Sequence, residues 1–225
     1  MRNIIKPVKF ILCSAILVAV AITANAQADE AKNLPNFLLP EFTQGIVKFK
    51  SGQTKSAVVN YNIIDQELVI RQEGKYMVID NPQQVDTLFV ANRTFIPFGN
   101  AFYELANKGI VTLFIQHKSN LEALGTPTGY GATTQTTNAN YQRQVYGHAG
   151  TVNLKIPDEY KVVAANEYWV KKDGAMEKFI TKRQFLKIFK DKEKELNKFI
   201  DANSIGFKNI PDLIKLFNYC NELYS

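Results

Sequence analysis

From Phe42 to Gln116 apolar and polar side chains alternate, and turn residues interrupt the alternation every 8–12 positions or so. Val47 and Phe49 alternate with Lys48 and Lys50; Ala57, Val59 and Tyr61 share one face; Leu68 and Ile70 follow. Successive side chains on an extended strand point to opposite faces, so a period of two means strands with one side in a core. Ser51-Gly52, Glu73-Gly74, Asn81-Pro82, Asn92-Arg93 and Asn107-Lys108-Gly109 are the turn signals between them. Tyr76, Met77, Val78 and Ile79 are apolar on both sides, which predicts a central strand. No helical period intervenes, so strands must pair with their sequence neighbours. The pattern predicts an antiparallel β-meander closing into a roll or barrel.

The period changes near Thr181. Phe185, Leu186, Phe189, Leu196, Phe199 and Ile200 mark one face of a helix over Lys182–Ala202, and Thr181 with Gln184 forms a capping box at its start. Asn209 and Pro211 open a second helix with the stripe Leu213, Leu216, Phe217, Cys220 and Leu223. The fold class is therefore α+β: a β-rich domain over residues 42–180 and a C-terminal helical pair, 181–225, packed on it.

Ahead of these lies a segment read as an export signal, residues 1–26. Arg2, Lys6 and Lys9 precede the apolar run Phe10 to Ile22, and Ala24-Asn25-Ala26 offers the small residues that signal peptidase requires. The apolar run is about 13 residues, short of the roughly 20 that span a bilayer. Cleavage would leave no transmembrane anchor and no cysteine but Cys220, so no internal disulfide. Residues 27–41 read as a mobile, proline-punctuated lead-in. The 225-residue chain carries +6, from 27 basic and 21 acidic residues. Removal of Arg2, Lys6 and Lys9 leaves 24 basic against 21 acidic, too small an excess for a nucleic-acid binder.

Residues 123–142 contain no charged side chain; Gly, Thr, Asn, Gln, Ala and Tyr dominate. Such a stretch reads as a long loop, and Tyr130, Thr134, Thr137 and Tyr141 give it the make-up of an adaptable contact surface. A tolerated insertion without a role has the same composition.

Catalytic motifs are sparse. No serine of residues 27–225 sits in a G-x-S-x-G elbow, and no phosphate loop, H-E-x-x-H or D-x-D-x-D-G sequence occurs. His117 and His148 are the only histidines; a catalytic zinc needs three ligands at close quarters, so both read as structural and no metal or cofactor is expected. Two acid pairs could serve a hydrolase, Asp65 with Glu67 and Asp80 with Asp86, although each is also an ordinary turn or edge residue. The run Lys187 to Lys198 mixes signs with Asp191, Glu193 and Glu195, as a solvated helix face does. Trp169 beside Tyr168 is a sugar platform or a core residue, and packing is the simpler role.

The segments Phe42-Thr43-Gln44-Gly45-Ile46-Val47, Val59-Asn60-Tyr61-Asn62 and Ala101-Phe102-Tyr103-Glu104-Leu105, with Gly109, Leu113, Tyr130-Gly131 and the Phe185–Phe189 helix, resemble a group of uncharacterised exported proteins of Bacteroidota-type bacteria. The resemblance implies export from a Gram-negative cell and carries no activity and no site residues. The expectation is a non-enzymatic binding or structural protein of the periplasm or envelope surface, its partner another envelope protein or a glycan. The alternative is an envelope-polymer hydrolase or transferase with an unmotifed acid pair. A third class is a subunit whose edge strand a partner completes.

Overall fold

The computed structural model describes residues 34–79, 81–124, 126–127, 133–134, 154 and 156–225. The export signal, Asp80, His148, Tyr130, Thr137 and Tyr141 lie outside them.

Ten strands form one antiparallel sheet: β1 Thr43–Phe49, β2 Thr54–Asn62, β3 Glu67–Gln72, β4 Lys75–Val78, β5 Val85–Val90, β6 Arg93–Phe98, β7 Ala101–Asn107, β8 Thr112–Gln116, β13 Glu167–Lys172 and β14 Ala175–Phe179. Their order is β14-β13-β8-β7-β6-β5-β1-β2-β3-β4. Two meanders meet at β1, which pairs with β2 on one side and β5 on the other. Turn chemistry sets the register. Glu73-Gly74, Ala91-Asn92 and Asp173-Gly174 all have positive φ at both positions, the two-residue hairpin turn whose twist matches the strands. The β5–β6 turn thus falls one residue earlier than Asn92-Arg93, and Arg93 opens β6. Strands β9 Ser119–Ala123 and β12 Tyr160–Ala164 form a separate pair. Within the uncharged stretch, β10 Thr126–Pro127 pairs with β11 Thr133–Thr134.

The sheet curls without closing. The Phe102 N–H donates to Tyr61 Oη at 3.3 Å, so β2 lies across the inner face of β7, and at the end of β8 Gln116 Nε2 donates to Gln66 Oε1 of the β2–β3 turn at 2.5 Å. Strands β4 and β14 end the sheet and do not pair with each other. The architecture is α+β with an antiparallel meander, and the barrel expectation gives way to an open sheet. Strand β4 is an edge, not a central strand. Its two-sided apolarity has separate causes: Tyr76 and Val78 pack outward with Phe37, Phe42 and Val69, while Met77 shares the inner face with its partner Ile70.

The inner face carries two cores. Where the sheet curls, Val47, Val59, Tyr61, Leu68, Leu88, Phe95 and Phe102 pack together. On the other half, helices α1 Lys182–Ile188, α2 Glu193–Ala202 and α3 Ile210–Leu223 cover Leu113, Ile115, Tyr168, Val170 and Phe179. The capping box at Thr181 is present, and Asn209 caps α3. The single helix expected over Lys182–Ala202 is two, because the backbone leaves the helical region at Phe189 (φ −110°, ψ 46°) and a 3₁₀ turn, Lys190–Lys192, follows. Tertiary packing overrides the unbroken sequence period here: Phe189 is fully buried beside Phe185, 4.6 Å between centroids, and the bend keeps both helices on one core.

The lead-in, expected to be mobile, is fixed from Leu34 onward. Phe37 and Leu39 are buried, the Leu38 N–H donates to Tyr61 O, and the Leu39 N–H donates to Asn60 Oδ1. Asn60 Nδ2 returns a hydrogen bond to Leu39 O, so one buried amide satisfies both backbone groups of Leu39.

Candidate functional site

Strands β1 to β4 bend into a trough of about 850 Å³ on the concave side. Its floor follows from register and alternation. Ile70 pairs with Met77 and with Val59, and Val47 pairs with Lys55, so Val47, Phe49, Ala57, Ile70, Met77 and Ile79 face the same way. Toward the sheet centre this face is sealed by the first core; toward β4 nothing among the described residues covers it. Met77 is 40% exposed as a result. Lys55 stands on this face with its Nζ 5.8 Å from the centroid of the Phe49 ring, a cation held over an aromatic face. Glu73, in the β3–β4 turn, also lines the trough, while Arg71, opposite Val58 and Tyr76, carries its side chain on the outer face.

Asp65, Glu67 and Asp86 do not converge on one cleft; Asp80 lies outside the described residues. Asp65 sits in the β2–β3 turn, where Oδ2 accepts from Asn62 Nδ2 at 3.0 Å. Burial, and secondarily the Glu67 charge, push its carboxyl up to about 6. Asp86 is at the other end of the sheet, ion-paired with Lys48 at 3.3 Å. Lys48 lies opposite Thr54, the first residue of β2, and Glu67 lies opposite Asn62, the last. A nine-residue strand places these ends roughly 27 Å apart. The concavities lined by Lys118 and Lys208, by Ser51 and Gln83, and by Ile46 and Phe89 contain neither Asp65 nor Glu67, and nor does the trough.

His117 is buried, its ring 6.3 Å from that of Phe95. Its Nε2 is 2.5 Å from Glu104 Oε2, and Arg93 Nε approaches Glu104 Oε1 at 3.6 Å. These groups anchor β6, β7 and β8 to one another. No group of three His, Cys, Asp or Glu able to hold a metal occurs among the described residues. Trp169 belongs to neither core: it lies on the outer face beside Tyr103 and Phe98, at 5.8 and 6.1 Å, and Nε1 donates to Gln116 Oε1 at 3.3 Å. Cys220 is fully buried against the sheet, which pushes its thiol up to about 12 and makes it a packing residue. Of the proposed contact loop, Thr134 is placed in the short strand β11.

The sequence reading passed over Phe49, Lys55, Ile70 and Met77 as a group. Their one sequence signal is the two-sided apolarity of residues 76–79, which by itself reads as burial. No family model, no curated protein and no solved structure matches the chain.

Proposed function

We propose that this chain is an exported, non-enzymatic binding protein of the Gram-negative cell envelope, and that the trough of β1–β4 is where it holds its ligand. The trough carries the reading: a largely apolar concavity of about 850 Å³ within the size range of ligand sites, roughly 300–1,000 Å³, and open along the edge strand β4. The pattern of residues 1–26 and the resemblance to exported proteins support the envelope location. No helix among the described residues is long and apolar enough to cross a membrane.

The test uses the exported chain and N-phenyl-1-naphthylamine, a neutral apolar dye that brightens when shielded from water. Saturable enhancement, reduced at least fivefold in affinity by Met77→Glu with an unchanged melting profile, supports the reading. Enhancement that Met77→Glu leaves unchanged places binding elsewhere, and no enhancement contradicts a ligand trough. The export half of the reading predicts Gln27 as the N-terminal residue of protein taken from the envelope; a chain still starting at Met1 contradicts it.

One observation favours the hydrolase as a second reading: burial and the neighbouring Glu67 charge raise the Asp65 carboxyl to about 6, where a carboxyl can serve as a general acid. Loss of glycan cleavage in Asp65→Asn, with folding intact, would establish it.

A further inference from the structure

We infer that the ligand of the trough is a single-chain amphiphile, an alkyl chain ending in an anionic head group, with the chain along Phe49, Ala57, Ile70, Met77 and Ile79 and the head beside Lys55. This rests on the trough being a ligand site and names what that site takes.

Two observations converge on that chemistry. The floor is a band of aliphatic and aromatic side chains with no carboxylate between them and Gln72, at the end of β3, on the same face, which suits methylenes better than the array of polar groups a sugar or a nucleotide needs. The charge is placed at one position: Lys55 projects from the same face and takes part in no ion pair among the described residues. Arg71 lies opposite Val58 and Tyr76, on the outer face, and Glu73 is in the β3–β4 turn, so Lys55 is the cation that stands over the apolar floor. Lys55 can turn from the Phe49 ring to a head group with its alkyl stem still on the apolar floor.

An added peptide strand is the competing occupant. The edge that would receive it is only four residues long and begins with Lys75, and a short, lysine-bearing edge is how sheets discourage strand addition. The trough reaches well beyond that edge, to Val47 and Phe49 on β1, three strands away. A chain lying in the concavity uses this depth; a strand added at β4 does not.

Displacement of the neutral dye by decanoate, dodecanoate and tetradecanoate, each below its micellar concentration, tests the inference. Burial of methylenes predicts an affinity that rises by up to about fifteenfold for each two carbons. Lys55→Glu should weaken dodecanoate about fivefold or more and leave uncharged dodecanol within twofold; Lys55→Gln should give an intermediate loss. Dodecyl phosphate in place of dodecanoate separates a phosphate from a carboxylate head. If dye binds but the chain series is flat, or if Lys55→Glu acts equally on dodecanoate and dodecanol, the amphiphile inference is wrong while the trough stands as a ligand site. If alternating apolar peptides displace the dye and dodecanoate does not, the occupant is a strand. If the dye itself does not bind, the reading beneath the inference fails.

Discussion

Asp65 and Asn221 show how single side chains set the limits of this fold. The carboxyl of Asp65 is easier to protonate in the folded chain than in the unfolded one, since burial and Glu67 lift it from 3.8 to about 6. Between those values the folded state binds more protons, so this residue's contribution is greatest below about pH 4 and is lost as pH rises through about 6. Asp65→Asn should therefore stabilise the protein at pH 7 by about 1 kcal/mol after allowance for solvent screening, with the gain vanishing near pH 4. Denaturant melts at both pH values check this; an equal effect at the two would show that the carboxyl does not titrate there. Asn221 acts through geometry. It accepts from the Val111 N–H at 2.8 Å and donates to Val111 O, Asn107 Oδ1 and Phe217 O, which pins α3 to the β7–β8 turn. Its amide fills the space where a Cβ on Gly109 would stand. Gly109→Ala should cost about 1–3 kcal/mol in the native background and under about 0.5 kcal/mol in Asn221→Ala, a coupling that a double-mutant cycle reads directly. Additive losses would mean that Gly109 is needed for its backbone alone.

Among the elements, the three C-terminal helices depend most on their neighbours. An isolated helix of seven to fourteen residues is marginal in water, so α1, α2 and α3 are held by the faces they bury. Phe179 of β14, Phe185, Phe207 and Phe217 meet with centroids 5.3–6.2 Å apart, which joins the last strand, the first helix and the last helix in one aromatic group. Phe189 extends this group toward Tyr224, whose hydroxyl donates to Asp191 at 2.8 Å. With Phe189 fully buried, Phe189→Ala should cost about 3–5 kcal/mol in a denaturant melt. A loss below about 1 kcal/mol would mean that α1 does not dock as described. The capping box and the apolar stripes made these helices readable from sequence. The break at Phe189 was not readable, because 185, 189, 196 and 200 keep one helical phase whether or not the backbone bends between them.

At the scale of the whole molecule, the meander was legible because each turn carries its own chemistry: Glu73-Gly74 and Asp173-Gly174 can sit at positive φ, and alternation then fixes which face each strand buries. Closure was not legible, since whether β14 meets β4 depends on how far ten strands twist and curl, which no local pattern records. The trough was hidden for the same reason. Met77 and Ile79 look like core residues in sequence, and only the place of β4 at the end of the sheet leaves Met77 facing open space. Separation along the sheet also supplies an internal control. Met77 lies in the trough, and Met176, on β14, lies at the opposite edge, paired with Lys171. The most direct measurement is a titration of ¹³C-methyl-methionine-labelled protein with dodecanoate, followed by NMR. Occupancy of the trough predicts that the Met77 methyl resonance shifts saturably while Met176 stays in place. A stationary Met77 signal, or equal movement of both, would contradict a ligand site on β1–β4.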